Sequence, residues 1–298
     1  MEKIFFSLGD NIPQLEGGSL LLGYFDGVHL GHQELIKKAK SLTKKTGVLL
    51  FDKNLASLLP NTGKSLKELT SLEDKLDLFE RFGIDYAYII HTDLSFLSLN
   101  KEEFVQKVLQ KISPSYLVVG EDYSFGKGKE GKVDYLKNFF HVSVCPLLED
   151  RYGKISSRTI VSFLEEGKIH EANSELGYLY SLKGKVVPGL RNGRKISFPT
   201  ANLEENDSYV IPKRGVYAGY TWVENKKYPS IINIGNNPTI GLLHHDLIES
   251  HLLSFDQDIY GKVIKIEFLD FLREEKKFSS LEELKEQLKK DKAFFDKK

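Results

Sequence analysis

The chain has 298 residues, enough for two ordinary domains or one large one, with 41% hydrophobic and 28% charged residues, the composition of a soluble globular protein. Its 42 basic residues balance 42 acidic ones, so no global polyanion-binding surface is expected and nucleic acid is disfavoured as a partner. The lone cysteine, Cys145, excludes an intrachain disulfide or a cysteine-rich metal site; with no apolar run near the roughly 20 residues of a bilayer span and no targeting pattern at the N-terminus, a cytoplasmic enzyme is expected.

Taken in chain order, short apolar runs alternate with helix-period segments over the first 175 or so residues. Strands are expected at Ser19–Phe25, Gly47–Phe51, Tyr86–Ile90, Tyr116–Val119 and Val142–Val144. Between them, helices are expected at Gln33–Leu42, Leu72–Phe82, Lys101–Lys111 and Val133–Phe139. This alternation predicts an α/β domain with a parallel sheet, whose ligands bind at the carboxyl ends of the strands. From Ser181 onward strand-like runs dominate: Gly184–Pro188, Gly215–Val223, Tyr228–Ile234, Leu247–Leu253 and Val263–Phe271. Gly189, Asn192-Gly193, Pro212, Asn236-Asn237-Pro238 and Gly261 punctuate them. An antiparallel barrel or sandwich follows, closed by an amphipathic helix at Ser280–Asp291, with Ser280 as N-cap and Glu283 at the capping-box spacing. The domains are accordingly expected at 1–180 and 181–298. Cys145, after an apolar run, reads as a buried structural thiol.

Two constellations carry chemistry. In Leu21–His32 an apolar run ends in Gly23, Gly27 and Gly31, with His29 and His32 three residues apart ahead of a helix. A strand turning into a helix presents backbone N–H groups and the positive end of the helix dipole, a ready anion site. Gly27 and Gly31 let a phosphate approach the backbone, and both histidines can reach it from one face, which points to transfer of a nucleotidyl group. In the second half, Thr200 and Asn202 of Phe198-Pro199-Thr200-Ala201-Asn202 point the same way from an extended segment. Both are hard oxygen donors suited to Mg²⁺, although a proline-initiated turn with local bonds fits the same residues. Glu249 could serve a Mg–nucleotide site as general base or be a plain exposed strand residue.

The motifs are Gly23-Tyr24-Phe25-Asp26-Gly27-Val28-His29-Leu30-Gly31-His32, Val119–Gly126, Ile155-Ser156-Ser157, Pro199-Thr200-Ala201-Asn202, Gly215-Val216-Tyr217, Asn233-Ile234-Gly235 with Pro238-Thr239, and the segments at Glu249 and Arg273. In this order the chain resembles the prokaryotic bifunctional riboflavin kinase/FMN adenylyltransferase (FAD synthetase) family over essentially its full length.

The resemblance implies a Rossmann-like nucleotidylyltransferase domain followed by a riboflavin kinase-like β-barrel. The barrel would transfer the ATP γ-phosphoryl group to riboflavin; Pro199, Thr200 and Asn202 would hold nucleotide phosphates, Thr200 and Asn202 also Mg²⁺, and Glu249 would take the hydroxyl proton. Arg273 matches a position near the flavin. The first domain would adenylylate FMN to FAD, releasing pyrophosphate. There His29 and His32 would stabilise phosphate charge, and Gly23, Phe25, Gly27, Gly31, Ser156, Ser157 and Arg158 would bind ATP, with Asp122 near the flavin substrate. Riboflavin, FMN and ATP are the partners so implied, with no membrane; oligomeric state is open.

Three segments depart from the pattern. Ser197 replaces a glycine; Asn54 stands where Thr-Phe-x-Pro-His-Pro has its histidine; and Ser156-Ser157-Arg158-Thr159-Ile160-Val161 has Arg158 for the threonine and Val161 for the terminal arginine of Ser-Ser-Thr-x-Ile-Arg. If a helix starts here, Arg158 shares a face with Val161 and could supply the displaced guanidinium. A bifunctional enzyme, a riboflavin kinase with a degenerate adenylyltransferase domain, and a non-catalytic flavin or nucleotide sensor are the three readings.

Overall fold

Segments such as Leu20–Leu22, Val48–Leu50 and Ala87–Ile90 are buried at every position, the pattern of strands covered on both faces. The computed structural model describes residues 1–58, 67–188, 200–204, 208–236, 246–276 and 278–296. Its backbone falls into two compact units, Met1–Ser157 and Arg158–Lys298.

In the first unit, β1 (Glu2–Phe6), β2 (Ser19–Leu22), β3 (Thr46–Phe51), β4 (Tyr86–Ile90), β5 (Tyr116–Gly120) and β6 (His141–Cys145) form a fully parallel sheet. The order is β1-β4-β3-β2-β5-β6. The chain runs outward from β2 through β3 and β4, then returns to β5 on the other side of β2. That reversal opens a crevice at the carboxyl ends of β2 and β5. Helix α1 (Leu30–Leu42) turns Leu35, Ile36 and Ala39 inward, and α2 (Leu72–Arg81) starts at a Ser71–Asp74 capping box.

The expected strands and helices of this unit are present with differences at several places, and the helix expected at Val133–Phe139 ends at Leu136. Strand β2 stops at Leu22 rather than Phe25, because Phe25 adopts a left-handed conformation (φ 55°, ψ 31°) that no strand continues through. The helical stretch 101–112 contains a π-helical turn, Val105–Leu109. Strand β1 was not anticipated: as an edge strand it buries Ile4 and Phe6 but leaves Phe5 65% exposed, so its hydrophobic signal is short and interrupted.

The second unit begins at Arg158, within α3 (Ser157–Glu166), and continues with α4 (Ile169–Leu176). Strands β7 (Ser181–Val187), β8 (Ala201–Leu203), β9 (Gly215–Val223), β10 (Lys226–Asn236), β11 (Asp246–Leu252) and β12 (Val263–Arg273) then close into an antiparallel barrel, ordered β7-β8-β11-β10-β9-β12. Leu182, Tyr217, Ile232, Ile266 and Phe268 are among its fully buried residues. The β9–β12 pairing carries two register shifts. Beside one of them a Cβ on Gly219 would stand 2.1 Å from the Glu267 carbonyl oxygen, so only glycine fits. Asn173 ties α4 to the barrel: its Oδ1 accepts from Tyr180 N at 2.6 Å and its Nδ2 donates to the Phe268 carbonyl at 2.9 Å. The compact unit thus begins at Arg158, while the barrel's first strand begins at Ser181, where the texture of the sequence changes.

The closing helix α5 spans Leu281–Asp296. Ser280 Oγ accepts from Glu283 N at 3.2 Å, as expected of an N-cap, but the Glu283 carboxylate accepts from the Ser279 amide and hydroxyl.

Candidate active sites

The segment joining β2 to α1 is shaped by close packing. A Cβ on Gly23 would stand 2.9 Å from the Phe25 ring, so glycine is needed for Phe25 to fold back. Phe25 is fully buried, edge-on to Phe79 at 5.3 Å and to His32 at 5.1 Å. A bulky residue in the left-handed region stores strain of about 1–3 kcal/mol and persists only where its surroundings over-determine it. Asp26 supplies that constraint. Its Oδ1 accepts from Leu69 N at 2.9 Å and Thr70 N at 3.2 Å, while Gly27 N donates to Thr70 Oγ1 at 2.9 Å. The Ser157 hydroxyl donates to the Asp26 carbonyl at 2.8 Å. Burial pushes the Asp26 carboxyl up to about 6 against the opposing charge of Lys75.

His29 is the N-cap of α1 and His32 sits in its first turn. Their rings stack with centroids 3.7 Å apart and planes inclined by 22°. Gly31 makes room for them, since a Cβ there would press on His29 Cε1 at 3.1 Å. Both Nδ1 atoms are buried and have no hydrogen-bond partner. Burial, then the Lys154 charge, lowers His29 to about 4. Burial, His29, Lys75 and Lys154 hold His32 well below the usual imidazole range. Both rings are therefore neutral at pH 7, each able to donate one hydrogen bond to a phosphate oxygen.

These groups face a cleft of about 720 Å³. Gly23, Asp26, His29, Gly31 and His32 line it, as do Asp122, Lys154, Ser156 and Ser157. Phe51, Leu55, Phe96, Phe104, Tyr123 and Phe125 make an apolar region of the same cleft. Asn54 lies in the lining too; its Oδ1 accepts from Ala56 N at 2.8 Å. Most expected residues of this site are brought together, with two exceptions. Gly27 (φ 76°) serves the turn, its N–H held by Thr70, and does not line the cleft. Arg158 is exposed on α3, outside the lining residues.

In the barrel, strand register builds the second site. Asn202 on β8 pairs with Glu249 on β11, and Glu249 pairs with Asn233 on β10. Directly opposed residues share a face, so these three side chains stand in one row across three strands. Through Val216 the row runs on to Arg273. Burial raises the Glu249 carboxyl, as does the nearby charge of Glu275, while a hydrogen bond from the Asn233 side chain opposes them. Gly235 admits Glu275 here: a Cβ would lie 2.4 Å from its Oε1. Asn202 is 5% exposed and its Oδ1 has no hydrogen-bond partner. An orphaned buried oxygen of this kind, two residues from the Thr200 hydroxyl on an extended segment, fits the hard donor set of Mg²⁺.

Arg273 is committed to α5. Its Nη2 donates to Asp291 Oδ2 at 2.8 Å and its Nε to the same carboxylate, which is 5% exposed. Pro199, Ser197 and Pro238-Thr239 lie outside the described residues. Sequence reasoning did not single out Lys154, Asn233 or Glu275 as site residues. Asn233 and Lys154 adjoin or fall within motifs that were read, but their roles depend on neighbours distant in the chain.

Among known proteins, a riboflavin kinase family model matches residues 176–298 and an FAD synthetase model residues 11–159. Bifunctional riboflavin kinase/FMN adenylyltransferases from Listeria monocytogenes and Bacillus subtilis are 39% and 36% identical, covering 93% and 92% of this chain and 92% and 90% of their own. The Escherichia coli enzyme is 34% identical over 94% of this chain and 91% of its own. A solved structure titled as a macrolide-efflux protein from Streptococcus pneumoniae matches at TM-score 0.89 and 30% identity, covering 98% of each chain. Among the described residues, no helix is long and apolar enough to cross a membrane. The chain belongs to the bifunctional riboflavin kinase/FMN adenylyltransferase family.

Proposed function

We propose that this protein phosphorylates riboflavin to FMN and adenylylates FMN to FAD, with residues 181–298 doing the first and 1–180 the second, both from Mg²⁺-ATP in the cytoplasm. The observation that carries this reading is that both halves match, one to each family model.

In the kinase step the riboflavin 5′-hydroxyl oxygen bonds to the γ-phosphorus as the bond to the β-phosphate oxygen breaks, and ADP leaves. Glu249 takes the hydroxyl proton; Asn233 orients its carboxylate, and burial with the Glu275 charge makes it a stronger base than a solvated glutamate. Asn202 Oδ1 and the Thr200 hydroxyl would hold Mg²⁺, which supplies charge neutralisation for the phosphates. Pro199 would complete the nucleotide loop. Arg273 acts on the flavin side by fixing α5 through Asp291.

In the adenylylation step a phosphate oxygen of FMN attacks the α-phosphorus and pyrophosphate leaves. Neutral His29 and His32 donate hydrogen bonds to oxygens where charge builds. Ser156, Ser157, Gly23 and Gly31 make the phosphate wall, and Phe25 and Gly27 fix its backbone. The apolar region of the cleft suits a flat ring system, with Asp122 at its lip. Arg158, exposed on α3, is one candidate for a phosphate contact, and unchanged adenylylation kinetics in Arg158→Ala would remove it.

Separate variants test the division of labour. Glu249→Gln is expected to slow riboflavin phosphorylation by about 10²–10⁴-fold while FAD formation from FMN persists. His32→Ala is expected to do the reverse. Loss of both activities in either variant, with the fold intact, contradicts the assignment.

A further inference from the structure

Two neutral imidazoles offer hydrogen bonds but no charge to a polyphosphate. Among the described residues lining the cleft, the cationic side chains are Lys67, Lys129 and Lys154. Lys154 acts electrostatically on both His29 and His32. Its Nζ lies 2.6 Å from Asp122 Oδ2. The two side chains are 40% and 58% exposed, so the pair sits where solvent and ligand reach it. The backbone behind Lys154 is held from both sides. Lys154 ends a two-residue antiparallel ladder with Glu149–Asp150, and Ile155, which follows it, is 5% exposed. Ser156 and Ser157 come next and line the same cleft.

We propose that Lys154 is a phosphate-binding residue of the adenylylation site, receiving the nucleotide's polyphosphate beside His29 and His32. Asp122 holds the ammonium in place until phosphate oxygens displace its carboxylate. The inference rests on the adenylyltransferase reading of this cleft. A partly exposed ion pair is weak enough to be exchanged, whereas a polyphosphate offers several charge-assisted bonds at once. Lys154 transfers no proton. It offsets the negative charge that the neutral histidines leave unbalanced on the phosphates and on departing pyrophosphate.

The test uses the full chain with Lys154→Met and Lys154→Arg. Inorganic pyrophosphate is titrated into each protein while the ring signals of His29 and His32 are followed by NMR. Lys154→Met is expected to need at least about tenfold more pyrophosphate than the unaltered chain, and Lys154→Arg no more than about threefold. In steady-state assays Lys154→Met is expected to raise the KM for ATP in FAD formation at least about tenfold, with riboflavin phosphorylation by the same preparation unchanged. A Lys154→Met titration that coincides with the unaltered chain overturns the proposal, as does an unaltered chain whose histidines do not respond to pyrophosphate. A response at those histidines in a chain that forms no FAD from FMN overturns the adenylyltransferase reading and leaves the Lys154 assignment standing.

Discussion

Glu249 stands between two opposed influences, and each can be removed separately. The Asn233 amide favours its carboxylate, whereas Glu275 and burial disfavour it. A general base must be deprotonated, so the kinase rate falls on the acid side as Glu249 protonates. Asn233→Ala is expected to move that acid limb to higher pH, and Glu275→Gln to lower pH; equal profiles in all three proteins would remove Glu249 from the base role. His29 gives a second residue-scale prediction. Its native value of about 4 lies below the unfolded value near 6.5, so the unfolded state binds the extra proton first. Stability is fully present above pH 6.5 and lost as pH falls toward 4, by about 3 kcal/mol for this one group. Asp26 runs the other way: raised to about 6, its contribution is complete below its unfolded value and lost as pH rises through 6. Comparing His29→Gln with the unaltered chain by calorimetry isolates the first effect. The variant should gain about 3 kcal/mol relative to the unaltered chain between pH 7 and pH 4. A constant difference would mean that His29 is not held neutral.

At the scale of elements, the join between β2 and α1 carries strain at Phe25 and is clamped from the segment before α2. Thr70→Val deletes the acceptor of Gly27 N–H and one donor to Asp26. It is expected to cost about 1–3 kcal/mol and to slow FAD formation while leaving riboflavin phosphorylation unaffected. Unaltered FAD formation would show that the clamp does not position the histidines. Much at this scale was legible in the sequence. Strands β3, β4, β5, β9 and β12 are long apolar or alternating runs, and periodicity locates them because burial decides their composition. The end of β2 was not legible, because Phe25 has an apolar side chain but a backbone that no strand accepts. Strand β1 was missed because an edge strand buries only one side of itself. In the sites, His29, His32 and Asn202 could be singled out from type and spacing, whereas Glu249 entered through the family resemblance. Asn233, Glu275 and Lys154 could not, since their meaning comes from barrel register, from a glycine that admits a carboxylate, and from an ion pair spanning 32 positions.

At the scale of the whole molecule, two chemically complementary reactions share one chain: the FMN made by the first is the substrate of the second. The departure at Asn54 falls in the first unit and that at Val161 on α3 of the second; the first unit's cleft keeps stacked His29 and His32, with Ser156, Ser157 and Lys154 in its lining. The second unit keeps the row of Asn202, Glu249 and Asn233. Two activities rather than one are therefore expected of this chain, and a single comparison tests that. Purified protein with Mg²⁺-ATP is given riboflavin in one sample and FMN in another, and flavins are separated by chromatography over time. FMN followed by FAD is expected from riboflavin, and FAD with pyrophosphate from FMN alone. FMN accumulating from riboflavin, with no FAD from either sample, would contradict this expectation.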